Sequence, residues 1–189
     1  MDEKKIEFLY QSINDTQATI RAIDVKIGFL FVVIFLPLAA IDSIYKAFLI
    51  LWASQNHYGA LSVLVGVCWI LSVWFLFKSL SAITDIHKHM IGAIPVDTFF
   101  KGGMPVITFS HLFSIDNVRA EMSVENYLKS LPKNEGEILS ELASEKMKVS
   151  LIRNVKALRV KACTNLTILW LATGMLLSLI FLFKVGLPA

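Results

Sequence analysis

Asp24 is the carboxylate best placed to do chemistry in this chain. It lies between Arg21 and Lys26, just before a long apolar run that opens at Ile27. A carboxylate at the edge of an apolar phase costs solvation unless a cation meets it. Arg159 and Lys161, just ahead of another apolar run that opens at Thr164, are the expected partners in an ion pair between helices. The sharper alternative is a ligand-sensing or gating position, because motion of either helix would pass through this junction. For an anionic phosphodiester, the available donors are Arg119, Lys88, Lys101 and backbone N–H groups of the 82–134 segment.

Other reactive side chains are poorly placed. His87 and His89 bracket Lys88 with only Asp85 beside them, so solvated side chains at headgroup level are expected there, not a metal site. Cys68 and Cys163 lack any CxxC spacing and read as small apolar packing residues. No GxSxG, HExxH, GxGxxG or Walker pattern occurs. The expectation is a chain with no catalytic residue, metal or cofactor. A net charge of +3, from 18 basic and 15 acidic residues, gives no reason to expect a nucleic-acid polymer as partner.

The elements that position these residues are apolar. Hydrophobic residues make up 56% and charged residues 17% of the chain, against roughly 45–50% and about 25% in soluble domains. That balance points to a lipid bilayer. The run from Ile27 to Ile41 is too short to cross about 30 Å of hydrocarbon at 1.5 Å per residue, so the first span is expected to continue past Asp42 and cover about 27–50. Pro37 is a candidate kink within it. Asp42 and Lys46, one turn apart, are expected to pair near the membrane boundary with Trp52 as interfacial anchor, or alternatively to form a polar gate. The second span covers 59–77 and the third 164–184. Ser62 and Gly66 have the spacing of a close helix contact.

Sixteen of the 18 basic residues fall in 1–26 and 78–163. The positive-inside rule therefore puts the N-terminus and the long connection in the cytoplasm and the C-terminus on the periplasmic or extracellular side. Five acids among the first 26 residues do not suit a signal peptide, so the N-terminus is expected to be retained. Ile6, Leu9, Tyr10, Ile13, Ile20, Ile23 and Ile27 recur at helical spacing, as do Ile138, Leu142, Val149 and Ile152, with Glu141, Glu145, Lys146, Lys148 and Arg153 around the latter set. The fold expected is an all-α membrane protein of three transmembrane helices. The first, through residues 1–26, and the third, through 135–163, extend into a cytoplasmic helical stalk whose core includes Tyr10 and the isoleucines. Segment 81–134 is a small irregular or α+β insertion, with VDTFF-KGG-MPVITF as a candidate hairpin and SVENYLKSL as a short helix capped by Ser123.

RAIDVKIGFL at the first junction, FSHLFSIDNV, SVENYLKSL and then ILSELASEKMKVSLIRNVKALRVKACTNL occur in an order that resembles the transmembrane effector family of Pycsar, a bacterial antiphage system. The resemblance covers most of the chain from about Arg21 onward. It implies that Asp24 and Lys26 stand for the family's Asp-x-Lys, that Phe109, His111 and Phe113 form its aromatic turn with Ser110 at a small-residue position, and that Lys156 matches the Lys of its long helix. It further implies activation by a cyclic pyrimidine mononucleotide, cyclic CMP or cyclic UMP, made by a partner cyclase. The consequence would be impairment of the bacterial inner membrane and abortive infection, with copies of the chain associating because three helices enclose little. The alternatives are an effector answering a different cyclic oligonucleotide and a membrane scaffold that recruits a partner through its stalk.

Overall fold

The computed structural model describes residues 2–54, 56–81 and 123–185, and no strand occurs among them. The elements are α1 (Asp2–Phe35), a 3-10 helix (Leu36–Ala40), α2 (Ile41–Ser54), α3 (Asn56–Leu80), α4 (Val124–Ser130) and α5 (Glu135–Val185). Three helical stretches, Asp2–Ala53, His57–Leu80 and Glu135–Phe183, are long and apolar enough to cross a membrane. No more than 17% of any apolar window is buried within the chain. Phe29, Val32, Ile70, Trp74, Ile168 and Phe183 all face outward, a surface that water would not tolerate and lipid would. The hairpin expected near residues 96–109 lies outside the described residues.

The chain divides into two compact units, Met1–Ala18 with Ile83–Arg153, and Thr19–Ala82 with Asn154–Ala189. One pattern serves both stretches of α1. Isoleucine recurs at every seventh residue, at Ile6, Ile13, Ile20, Ile27 and Ile34, with Leu9, Thr16, Ile23 and Leu30 between them. This alternating three-four spacing keeps one seam of a helix facing a partner, and Ile13, Thr16, Ile23, Ile27 and Ile34 are buried. Tyr10, expected in the core, lies one position off this seam and is 46% exposed. The corresponding seam of α5 reads Leu142, Val149, Lys156, Cys163, Trp170 and Leu177, and every member but Lys156 is buried.

Helix starts follow local chemistry. Ser123 Oγ accepts the Asn126 N–H at 3.3 Å and begins α4. At the start of α5, Asn134 Oδ1 accepts the Glu137 N–H at 2.9 Å, while Glu137 accepts from Lys133 N–H at 2.7 Å and from Asn134 Nδ2 at 2.9 Å. These bonds satisfy N–H groups that a helix start leaves without intrahelical partners.

The first span is not one smooth helix. Pro37 occupies the opening of the 3-10 helix; lacking an N–H, it cannot return a three-residue hydrogen bond to Ile34 O. Trp69 Nε1 donates to that carbonyl instead, at 2.8 Å. Beyond the break α2 packs on α3, and the ring of Trp52 lies over Gly59. A Cβ at Gly59 would stand 2.7 Å from Trp52 Cε3, so the approach needs glycine. A Cβ at Gly66, by contrast, would meet nothing within 4 Å among the described residues, and Ser62 Oγ bonds back to Tyr58 O at 2.8 Å.

Candidate functional site

The second unit gathers its polar groups where three helices meet. Ile23, Ile27 and Ile34 of α1, Leu76 of α3, and Val160 and Cys163 of α5 form a buried apolar cluster. At its edge Lys156 Nζ donates to Asp24 Oδ1 at 2.6 Å. The lysine side chain is 18% exposed and the carboxylate 48%, so the cation is the more enclosed partner and the carboxylate keeps much of its solvation. Opposite charge on the enclosed amine is what makes its position tolerable.

Arg159 and Lys161, the expected partners of Asp24, do other things. Arg159 Nη1 donates to Lys78 O at 2.6 Å, filling one of the carbonyls that the end of α3 leaves open. Ser79 Oγ and Ser81 Oγ take Leu76 O and Lys78 O, at 2.7 and 3.0 Å, and Lys78 Nζ sits 5.3 Å from the centre of the Trp74 ring. Lys161 and Lys26 are exposed. The partner is displaced because packing in the unit begins earlier in α5 than its apolar run does. Val160 and Cys163 are already in the buried cluster, and Cys163 Sγ reaches Ser72 O at 3.4 Å. Asp24 therefore meets α5 one turn before Val160, at Lys156.

The first unit holds a second polar feature. Lys146 Nζ donates to Ser12 O at 2.9 Å and to Thr16 Oγ1 at 2.5 Å. Glu145 and Lys148, expected on a solvated face, are instead 4% and 3% exposed, with Lys148 Nζ 3.9 Å from Glu145 Oε2. The burial of Glu145 follows from register: it stands three residues after Leu142 and four before Val149, inside the seam. The sign of that seam position was legible in the spacing; the charge of the side chain hid it.

Asp24 and Lys156 are thus brought together, while Lys26, Arg159 and Lys161 are not part of that contact. His111 and Arg119, with Lys88, His87 and His89, lie outside the described residues. Among those described, no three His, Cys, Asp or Glu side chains converge. What the arrangement can do is couple two helices through one ion pair at the point where their sequences turn apolar. Comparison with protein-family models, curated proteins and solved structures finds no match.

Proposed function

We propose that this chain is a ligand-gated membrane effector of a bacterial antiphage system. In this reading a cyclic pyrimidine mononucleotide binds the cytoplasmic connection, shifts α1 against α5, and lets associated copies impair the inner membrane. The observation that supports it is the Asp24–Lys156 pair. It joins the two helices that run from polar sequence into apolar sequence without interruption, and it puts a single ammonium at a seam position otherwise filled by buried residues. A charged residue at such a position selects one register over its neighbours at some cost in stability. A helix pair held that way has a second arrangement within reach, which a switch requires.

The ligand is the part to test first. Titration calorimetry of detergent-solubilised protein with cyclic CMP and cyclic UMP, beside cyclic purine mononucleotides and cyclic dinucleotides, is expected to give heat only with the pyrimidine pair. Heat with a cyclic dinucleotide would reassign the ligand. No heat with any of them, together with harmless overexpression, would leave the scaffold reading in place of this one.

A further inference from the structure

Asp42 and Lys46 form a second ion pair, with Lys46 Nζ 2.7 Å from Asp42 Oδ2. Among the described residues nothing covers it: the lysine side chain is 69% and the aspartate 77% exposed. What makes this unusual is its level. Trp52 lies on Gly59; α2 ends at Ser54, α3 opens at Asn56 and the two pack on each other, so we infer that they run antiparallel from there. With equal rise in the two helices, Lys46 comes about level with Val65 and Asp42 about level with Trp69. These positions fall about 9 and 15 Å inside the uncharged run that opens at Gly59, near the middle of a hydrocarbon layer of about 30 Å. A second helix agrees. Val65 Cγ1 lies 3.9 Å from the Cβ position of Gly174, which is itself near the middle of the third apolar run.

By this register the pair stands inside the apolar layer, deeper than the boundary at which its sequence position suggested it would lie. The 3-10 helix Leu36–Ala40 interrupts the first span just before the pair, and Trp69 Nε1 reaches the Ile34 carbonyl ahead of that break. Lys46 cannot easily escape to the far surface either. Helical side chains lean toward the helix N-terminus, which for α2 is the mid-bilayer end, and its ammonium is held there by Asp42. Charged groups at this depth are tolerated when they face protein or a water-lined space, not lipid. Ala47, Phe48 and Leu51 turn toward the chain while Ile41, Ile44 and Tyr45 surround the pair on the open face.

We propose that this face of α2 is where copies of the chain associate within the bilayer, the Asp42–Lys46 pair of one copy meeting that of another. A second copy is the occupant its charges fit. The pair is self-complementary, so two copies related by rotation set each carboxylate toward the other's ammonium. Association through this face gives the membrane effector reading its contact surface and rests on that reading only for its consequence, a polar seam through which a membrane would leak.

The test uses full-length chains in lipid vesicles without nucleotide, labelled singly with donor or acceptor dyes and read by energy transfer as the protein is diluted in lipid. The native chain is expected to associate. Asp42→Lys and Lys46→Asp are each expected to lose association with themselves by at least tenfold, and to regain it when the two variants are mixed. The neutral double variant Asp42→Asn, Lys46→Gln, which inserts more readily than the native chain, is expected to stay monomeric. A native chain that is monomeric at every dilution, or single or neutral variants that associate as the native chain does, would overturn the proposal. Charge-dependent association without any nucleotide-triggered leak would overturn the functional reading and leave this surface standing.

Discussion

At the residue scale one amine is decisive. Lys156 takes a position that the rest of its seam gives to Leu142, Val149, Cys163, Trp170 and Leu177, all buried. Replacing it with methionine should fill the seam with apolar surface and leave Asp24, half exposed, solvated. Lys156→Met is therefore expected to raise stability by about 1 kcal/mol while abolishing activity, measured as unfolding in detergent beside toxicity in cells. Asp24→Asn leaves an enclosed ammonium without its counter-charge, so its cost in stability should be about 1–3 kcal/mol. It should still insert in the membrane and lose its activity; equal loss of membrane accumulation would make the pair purely structural. Asp24 was legible in the sequence as a charge needing a partner, because a carboxylate beside an apolar run has few other options. Its partner was not, since Arg159 and Lys161 are the bases nearest the apolar run that opens at Thr164, while the packing starts at Val160. Lys156 entered only through the family resemblance.

At the element scale the three apolar stretches were plain from composition, because length and hydropathy alone make a span. The seam of α1 was nearly plain too: its isoleucines are buried at Ile13, Ile23, Ile27 and Ile34, while Tyr10, adjacent to Leu9, falls off it. What periodicity did not reveal is the 3-10 helix at Pro37, because a proline in a membrane helix is compatible with a kink, a break or neither. The break depends on a bond from a distant residue, Trp69 Nε1 to Ile34 O. Trp69→Phe should leave that carbonyl without its donor and destabilise the bundle by about 1–3 kcal/mol, read as a lower unfolding midpoint with unchanged helix content. Gly59→Val should push Trp52 off α3, a change expected to cost about 1–3 kcal/mol and visible as a shift in tryptophan emission.

At the scale of the whole molecule, the distribution of charge and the continuity of α1 and α5 carry the argument. α1 and α5 each contribute residues to both compact units. Sixteen of 18 basic residues lie on the stretches read as cytoplasmic, and cysteine labelling in intact cells and inverted vesicles should find residue 3 shielded and residue 187 reachable from outside. Buried Glu145 and Lys148 show where a sequence reading of polar faces stops: charge predicts exposure only when no partner is at hand.

The measurement that bears most directly on the central claim is dye release from sealed vesicles carrying the purified chain. With the native protein, cyclic CMP or cyclic UMP should release a small trapped dye, and Asp24→Asn, present at the same density, should hold it. Vesicles that stay sealed at every cyclic nucleotide, or an Asp24→Asn chain that releases dye as the native one does, would contradict the account.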